Sequence, residues 1–500
     1  MIKRIVILGG GSAGFLAALA LKCRLPHLQV VVIRSKDIGI IGVGEGSALP
    51  LTRFLHDYVR VNPRKFFAVA QPTWKLGLRF LWGPRPYFHF PFSLNQLAGT
   101  ARQLPRSKAY YCWEEMEYED ALSALMTQNR AFERSPRGDP ILHFNLAYHV
   151  ENEKFVHFLE EYAVALGVTI RDDTVTEVEQ NEHGVAALRL ASGQRETADL
   201  YVDASGFASV LLGKTLGEPF QSYKSSLFCD RAVVGGWDRT APEDMVIKPY
   251  TTCETMDSGW CWQIDHENRI NRGYVYSSGF ISDEDAEKEF RMKNPKVGPT
   301  RIVRFIAGRY RNFWVKNVVA VGNAAGFVEP LEATALGAIA TQSSLLTNTL
   351  AECDGQVTPS IQQCFNRVQT RFSDEVRDFL AVHYKFNQRC NTPFWRHCWE
   401  TTDLCGATET VEFYRENGPC LWLNETISKS NQFGMPGYLA LLLGQKVEYQ
   451  RRYHPGDAER QVWNAERQKL KSMAMRALTV KEALEKIRSP GCELKINHPA

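Results

Sequence analysis

The sequence predicts an α/β fold, with a lobe of alternating strands and helices followed by a mostly helical C-terminal lobe. Three observations support this prediction. An apolar strand, a glycine turn and a helical run open the chain; strand and helix patterns alternate to about residue 345; helical patterns cover 361–380 and 459–487. We expect a first lobe over 1–345, whose insertion at about 50–145 contributes to a substrate site, and a second, substrate-binding lobe over 346–500.

The composition is that of an ordinary globular protein. With 500 residues, 44% hydrophobic and 23% charged, two packed lobes are expected. A net charge of +3 without a run of like charges gives no support for nucleic-acid binding. No stretch reaches the ~20 apolar residues of a membrane span, and the opening apolar run is broken by glycines, unlike a signal peptide. We therefore expect a cytoplasmic protein without membrane contact. The 12 scattered cysteines predict reduced thiols and no metal site.

The first strand runs into a glycine fingerprint for a dinucleotide. Residues 5–8 are continuously apolar, and Gly9, Gly11 and Gly14 follow in G-x-G-x-x-G spacing before a helical run. The glycines permit a tight turn and close backbone approach, and the helix N-terminus meets a pyrophosphate. A purely structural turn is the alternative. The expected cofactor contacts here are Gly9, Gly11, Ser12, Ala13 and Gly14.

The second strand, 29–33, is followed by Arg34, at the position where an acidic residue usually binds the ribose hydroxyls. An arginine there can stack on an adenine, face solvent, or accept the extra phosphate of NADP. Arg34 is included among the expected cofactor contacts, and it leaves the identity of the cofactor open at this point.

Three further glycine-bearing turns follow the first. One spans 41–46, one closes the strand 200–202 with Asp203 in a D-x-S-G sequence, and one follows the strand 318–321. Turns of this kind suit backbone lying against a cofactor. The expected cofactor contacts in them are Gly42, Val43, Gly44, Glu45, Asp203, Gly322 and Phe327.

Three other motifs complete a pattern. Lys75 lies in an apolar and aromatic run at 72–80, Trp260 and Trp262 flank a cysteine, and 322–334 reads GNAAGFVEPLEAT. With the four glycine turns, these motifs resemble the reduced-flavin-dependent halogenases, the group that includes the tryptophan halogenases. The resemblance covers essentially the whole chain. It implies a Rossmann-like, flavin monooxygenase-type FAD-binding lobe, FADH2 delivered by a separate flavin reductase, and bromide or chloride as halide.

The resemblance also implies a mechanism. FADH2 and O2 give a flavin C4a-hydroperoxide that oxidises halide to hypohalous acid, which reaches Lys75 and halogenates an electron-rich aromatic by electrophilic substitution. Lys75 matches the family's catalytic lysine, since an ammonium group can hold hypohalous acid or form a haloamine. A surface lysine with its stem on apolar residues is the alternative. Glu332 matches the family's glutamate, which stabilises the cationic intermediate and accepts its proton.

Halide and substrate contacts follow from the same resemblance. Thr334 and Ala335 match the residues whose backbone amides bind halide, although many relatives have glycine in place of Ala335. Trp260 and Trp262 share one face of a strand and match the pair that screens the substrate from the flavin. In their motif, Asp265 replaces a proline. The stretch 87–92 resembles a segment of the substrate pocket. It adds His89 and Phe90 to the expected lining, with a buried, hydrogen-bonded core histidine as the alternative.

The segment 437–444 is aliphatic and lacks the aromatic cluster that grips free tryptophan in the tryptophan halogenases. We therefore expect a small indole- or phenol-like substrate, with bromide used better than chloride. A carrier-bound substrate stays open, and the sequence does not decide between a monomer and a homodimer or fix the regioselectivity. The alternatives are a flavin-dependent aromatic monooxygenase and a non-catalytic FAD-binding redox protein.

Overall fold

The computed structural model describes residues 1–39, 44–92, 116–118, 120–143, 146–489 and 496–497. Its strands are β1 (Arg4–Leu8), β2 (Gln29–Arg34), β3 (Glu45–Gly46), β4 (Thr73–Lys75), β5 (Gly77–Leu81), β6 (Phe88–Pro91), β7 (Leu142–His143), β8 (Ala147–Val150), β9 (Thr169–Asp172), β10 (Val175–Asn181), β11 (Gly184–Leu190), β12 (Arg195–Glu196), β13 (Leu200–Asp203), β14 (Phe220–Ser222), β15 (Arg231–Asp238), β16 (Thr251–Met256), β17 (Gly259–Asp265), β18 (Arg269–Tyr276), β19 (Arg301–Arg304), β20 (Gly308–Tyr310), β21 (Trp314–Val315), β22 (Val318–Ala320), β23 (Gly326–Phe327) and β24 (Ile496–Asn497). Its helices are α1 (Ser12–Arg24), α2 (Leu49–Arg53), α3 (Pro63–Val69), α4 (Ala121–Thr127), α5 (Asn152–Ala165), α6 (Asp283–Lys293), α7 (Ala335–Glu352), α8 (Pro359–Phe386), α9 (Pro393–Thr401), α10 (Thr408–Asn417), α11 (Gly434–Gly444), α12 (Asp457–Arg476) and α13 (Val480–Arg488).

The chain divides into two compact units, each discontinuous in sequence. The first comprises 1–71, 150–224 and 305–374, and the second comprises 72–149, 225–304 and 375–500. This division differs from the boundary expected at 345. The reason is that β5, in the predicted insertion, pairs in parallel with β16, so the insertion joins the strands between 231 and 276 in one sheet. The assignment of separate functions to the two lobes stays a prediction.

The first unit is built on a six-stranded sheet in the order β21-β22-β13-β1-β2-β9. All of its pairs are parallel except β21 with β22. The central strands β1 and β2 are almost continuously apolar and buried, which is expected of parallel strands covered on both faces. The helix α1 connects β1 to β2 and buries eight consecutive residues, 14–21. This confirms the predicted α/β, Rossmann-like fold.

The second unit is built on a seven-stranded sheet in the order β19-β15-β18-β17-β16-β5-β6. Because side chains alternate along each strand, the registers between strands sort residues onto two faces. We call one side the aromatic face; it carries Leu78, Phe80, Phe90, Trp260 and Trp262. The other side is the polar face; it carries Arg79, His89, Thr252, Gln263 and Arg272.

Helices of the second unit cover the aromatic face. A Cβ added to Gly444 of α11 would lie 2.4 Å from the ring of Phe88, so this helix approaches the sheet closely. Every residue from 437 to 444 is buried, and the aliphatic segment therefore packs in the core. Within the described ranges, no helix is long and apolar enough to cross a membrane.

Candidate active site

The N-terminal glycine turn is tightly packed on one side and open on the other. Gly9 has φ +128°, and a Cβ there would lie 2.2 Å from the carbonyl oxygen of Ala204. A Cβ on Gly14 would lie 1.9 Å from the Gly9 carbonyl, whereas one on Gly11 would meet no atom within 4 Å. Ser12 and Ala13 open α1, so their amides belong to the helical turn whose N–H groups lack intrahelical acceptors. The residues thus fit a bound pyrophosphate.

Arg34 lies against this turn. A Cβ on Gly10 would come within 2.2 Å of the Arg34 Cβ, so the arginine stem crosses the glycine backbone. Its guanidinium contacts Glu160 at 2.5 Å and Asp172 at 3.8 Å, and its side chain is 17% exposed. The alternative that the Arg34 side chain faces solvent is therefore excluded.

The second glycine turn, at 41–46, and the third, which follows Asp203, differ in their hydrogen bonds. Gly42 and Val43 lie outside the described residues. Gly44 has φ +118°, and Glu45 accepts a 2.6 Å hydrogen bond from the Asn152 amide, while burial raises the pKa of its carboxyl. Asp203 accepts bonds from the amides of Ser205, Leu211 and Leu212 and from the Ser205 hydroxyl, at 2.6–3.1 Å. Its carboxylate therefore shapes the turn after β13.

The fourth turn meets the first. Gly322 has φ +60°, and a Cβ there would lie 2.9 Å from the Cβ of Ala13. Phe327 packs edge-to-face against Phe207 and Phe305, with ring centroids 5.1 and 5.0 Å away. The turns after β1, β13 and β22 thus gather at the carboxyl edge of parallel strands, where α/β sheets bind their ligands.

The segment after Phe327 has unusual backbone geometry. Buried Glu332 has φ 68°, and Ala333 follows with φ 53°, two left-handed residues without glycine. The helix α7 starts directly afterwards, and its first bond runs from the Ala338 amide to the Thr334 carbonyl at 2.8 Å. The amides of Thr334 and Ala335 therefore stand at the N-terminus of an 18-residue helix, which favours an anion.

Lys75 is completely buried at the end of β4, which excludes the surface alternative. Its ammonium lies 5.3 Å from the centroid of the Phe92 ring. In the pairing of β4 with β8, Thr73 stands opposite His149, so Lys75 and His149 share a face of this pair. Burial first, and then the charges of Lys75 and His266, hold the pKa of His149 well below its usual value.

Trp260 and Trp262 lie on the aromatic face, as their spacing predicts. A Cβ on Gly273 would come within 2.4 Å of the Trp262 indole, so this ring lies flat over the glycine of the neighbouring strand. The Trp260 ring is 6.5 Å from that of Trp82. Phe90 occupies the same face, opposite Leu78. The predicted screening pair and one predicted pocket residue thus lie on the same face of the sheet in the second unit.

His89 lies on the polar face, away from Phe90. The Arg79 Nε donates a 2.9 Å hydrogen bond to the His89 Nε2, and burial holds the pKa of the imidazole well below its usual value. The structure therefore does not bring His89 to the face that carries the tryptophans. The residue missed by sequence reasoning is Phe92, although its spacing of two from Phe90 already placed both on one face.

Asp265, which replaces the expected proline, is a structural anchor. Its carboxylate accepts bonds from Arg239 and from the Gln263 amide, and its carbonyl accepts a 2.6 Å bond from the Thr73 hydroxyl. This last bond holds the strand that carries Lys75. In the part of the chain that the structure describes, no group of three His, Cys, Asp or Glu side chains could hold a metal ion.

Comparison with known proteins adds the following. The sequence model of the tryptophan halogenase family matches residues 4–461. Tryptophan 7-halogenase KtzQ of Kutzneria sp. (strain 744) is 34% identical over 462 residues, 87% of this chain and 85% of that protein. The crystal structure of MibH, a lathipeptide tryptophan 5-halogenase, matches with TM-score 0.89 and 36% identity, over 98% of this chain and 94% of MibH. Xcc4156, a flavin-dependent halogenase from Xanthomonas campestris, matches with TM-score 0.86 and 26% identity, over 97% and 98% of the two chains.

Proposed function

The chain belongs to the tryptophan halogenase family, and on that premise we propose that it is a two-component enzyme replacing a ring hydrogen of an indole- or phenol-like substrate with a halogen. The observation that carries the proposal is Lys75, an ammonium-bearing side chain with no exposed surface, set against the Phe92 ring. Burying a charged side chain costs free energy, and buried ionisable groups of this kind are concentrated at functional sites. A flavin monooxygenase has no step that needs it.

The residues of the first unit that would hold the cofactor are those of its glycine turns. Gly9, Gly11 and Gly14 permit backbone approach to the pyrophosphate, and the amides of Ser12 and Ala13 face its charge. Bound reduced flavin supplies, with O2, the two-electron oxidation that turns halide into hypohalous acid. We propose that a separate reductase supplies the reduced flavin and that both proteins act in the cytoplasm.

The halide is bound by the first amides of α7. Thr334 and Ala335 present backbone N–H groups at the positive end of the helix, and neither needs a side chain for this contact. Ala335 has less backbone freedom than the glycine of many relatives. We propose that bromide is used better than chloride, because bromide is less strongly hydrated and easier to oxidise.

Lys75 receives and aims the electrophile. Its ammonium donates a hydrogen bond to hypohalous acid, or its free amine takes up the halogen as a haloamine with loss of water. The aromatic ring then gains a carbon–halogen bond and loses a proton. Glu332 stabilises the cationic ring and accepts that proton. With hypohalous acid as the electrophile, this proton and the released hydroxide form water. With a haloamine, for which water has already left, the proton returns to the Lys75 nitrogen. Trp260 and Trp262 keep the substrate from the flavin.

The substrate lacks the charged backbone of free tryptophan. The segment 437–444 is mostly aliphatic and packs in the core, and none of its side chains carries a charge that could pair with an ammonium or a carboxylate. Indole fits this condition. A tryptophan side chain within a peptide fits it as well, and it is the second candidate because MibH, at 36% identity, is described as acting on a lathipeptide.

A substrate panel tests the proposal. The enzyme is supplied with FAD, NADH and a flavin reductase, and with indole, a phenol, tryptophan or a tryptophan-containing peptide in equal bromide and chloride. We expect brominated indole or brominated peptide to dominate. Dominant chlorotryptophan contradicts the assigned pocket and halide preference. A hydroxylated product formed without halide contradicts the halogenase assignment itself.

A further inference from the structure

We infer that the polar face of the second unit holds a binding site for a small monoanion, a halide ion or a carboxylate group, formed around Arg79 by His89, Thr252 and Lys248. This site is separate from the halide amides proposed at α7. It does not depend on the halogenation reaction.

The sheet sets three of these side chains in one row. Arg79 of β5 stands opposite His89 of β6 on one side and Thr252 of β16 on the other. Neighbouring strands lie about 4.8 Å apart, and directly paired residues point to the same face. His89, Arg79 and Thr252 therefore stand side by side, and His89 and Thr252 flank the arginine.

The hydrogen bonds fix the His89 tautomer. Since the Arg79 Nε–H donates to His89 Nε2 at 2.9 Å, this nitrogen is the acceptor of a neutral ring, and the proton belongs on Nδ1. Nδ1 is buried and has no hydrogen-bond partner among the described residues. The buried Thr252 hydroxyl likewise has none. Two buried groups able to donate thus flank Arg79, and leaving them unsatisfied is unfavourable.

The local charge is also unbalanced. The Arg79 guanidinium lies between the rings of Tyr87 and Tyr250, at 4.6 and 4.2 Å, and its Nη2 donates to the Met126 carbonyl. Lys248 is half-buried. Within the described ranges, neither cation forms an ion pair with a carboxylate.

The nearby carboxylates already accept hydrogen bonds from other side chains. Asp265 accepts from Arg239 and Gln263, Glu254 accepts from Arg272 at 2.7 Å, and Glu117 accepts from the Tyr87 hydroxyl. Burial, and beyond it the charges of Arg272, Arg79 and Arg239, lower the pKa of Lys248 despite the opposing effect of Asp265. Asp265 and Glu254 thus match Arg239 and Arg272, whereas Glu117 accepts only from a neutral hydroxyl. Among the described residues, this leaves the cluster with one positive charge in excess.

The unsatisfied donors of His89 and Thr252 and the excess positive charge can both be satisfied by an anion that accepts hydrogen bonds. Water satisfies the His89 and Thr252 donors but leaves the excess positive charge of the cluster unbalanced. A halide or a carboxylate accepts hydrogen bonds only and supplies a negative charge. Since Lys248 is half-buried, it can meet the anion from solvent while the other partners remain inside.

Bromide soaks test the site directly. Crystals of the protein are soaked in sodium bromide, and anomalous scattering locates the ion. We expect a peak within hydrogen-bonding distance of Lys248 Nζ and of His89 Nδ1 or the Thr252 hydroxyl in the wild type and in Lys429→Met, an exposed-lysine control of equal charge change. The peak should be absent in Lys248→Met. Ordered water at this position in bromide and in acetate soaks alike, or a bromide peak unchanged in Lys248→Met, overturns the inference.

A solution measurement distinguishes halide from carboxylate. The melting temperature is followed in bromide and in acetate at equal ionic strength, without flavin or substrate. We expect at least one anion to raise it by about 2 °C in the wild type and in Lys429→Met, and by less than half of that in Lys248→Met. A rise with acetate alone identifies a carboxylate site. Equal rises in all three proteins, or none, overturn the inference.

Discussion

Glu332 has a backbone conformation that is uncommon for a residue other than glycine. Its φ of 68° and the 53° of Ala333 put two successive non-glycine residues in the left-handed region, which costs about 1–2 kcal/mol each. Strained backbone conformations persist where the packing of the surrounding residues holds them in place, and they are concentrated at functional sites. Both Glu332 and the preceding Leu331 are buried, so the packing of this segment fixes the direction of the carboxylate.

We predict that Glu332→Gln lowers kcat by at least about tenfold, because the amide keeps the shape of the side chain but loses its negative charge and its ability to accept a proton. Flavin affinity should not change. Steady-state halogenation and flavin titration measure the two quantities. An unchanged kcat would assign Glu332 to structure alone.

A second prediction concerns His56. Burial lowers the pKa of this imidazole from 6.5 to about 4. The unfolded chain binds this proton at a higher pH than the folded protein does. The contribution of neutral His56 to the free energy of unfolding is therefore fully present above pH 6.5. It decreases as the pH falls towards 4, by at most about 3 kcal/mol. His56→Gln cannot titrate and should show a smaller loss. Denaturant unfolding of both proteins at pH 7 and pH 4.5 measures the difference, and equal losses contradict it.

At the scale of elements, close approach between neighbouring strands positions the aromatic face. The Trp262 indole has room only because its neighbour on β18 is Gly273. We predict that Gly273→Ala displaces the indole, lowers the free energy of unfolding by about 1–3 kcal/mol and reduces halogenation. The control is Gly279→Ala, whose added Cβ meets only the Ser277 Oγ at 3.8 Å. Unfolding curves and product yield are compared. Equal behaviour of the two variants contradicts this role for Gly273.

Local signals allowed some elements to be predicted and not others. The strand, turn and helix around Gly9 are encoded within about twenty residues, so their structure follows from the sequence. The face occupied by His89 depends on its pairing with Arg79, and a shift of one residue would reverse it. The role of Asp203 could not be predicted either, because its bonds to Leu211 and Leu212 exist only once the turn has formed.

At the scale of the whole molecule, residues distant in sequence build each unit. The pairing of β5 with β16 joins segments more than 170 residues apart. The periodicity of the sequence predicts each strand but not which strand it pairs with. The motifs nevertheless identified the family, because each is a short local requirement of the chemistry. The unit boundaries depend on long-range pairing and therefore needed the structure.

The central claim is that Lys75 transfers the halogen, and the isosteric variant Lys75→Met tests it most directly. The variant, the wild type and Lys65→Met, an exposed-lysine control, are supplied with reduced flavin, bromide and indole. One arm contains a diketone trap that reports free hypobromous acid. We predict that Lys75→Met binds flavin and yields trapped hypobromous acid like the wild type, but forms no bromoindole above the level produced by free hypobromous acid alone. Bromoindole formation at the wild-type rate would contradict the account.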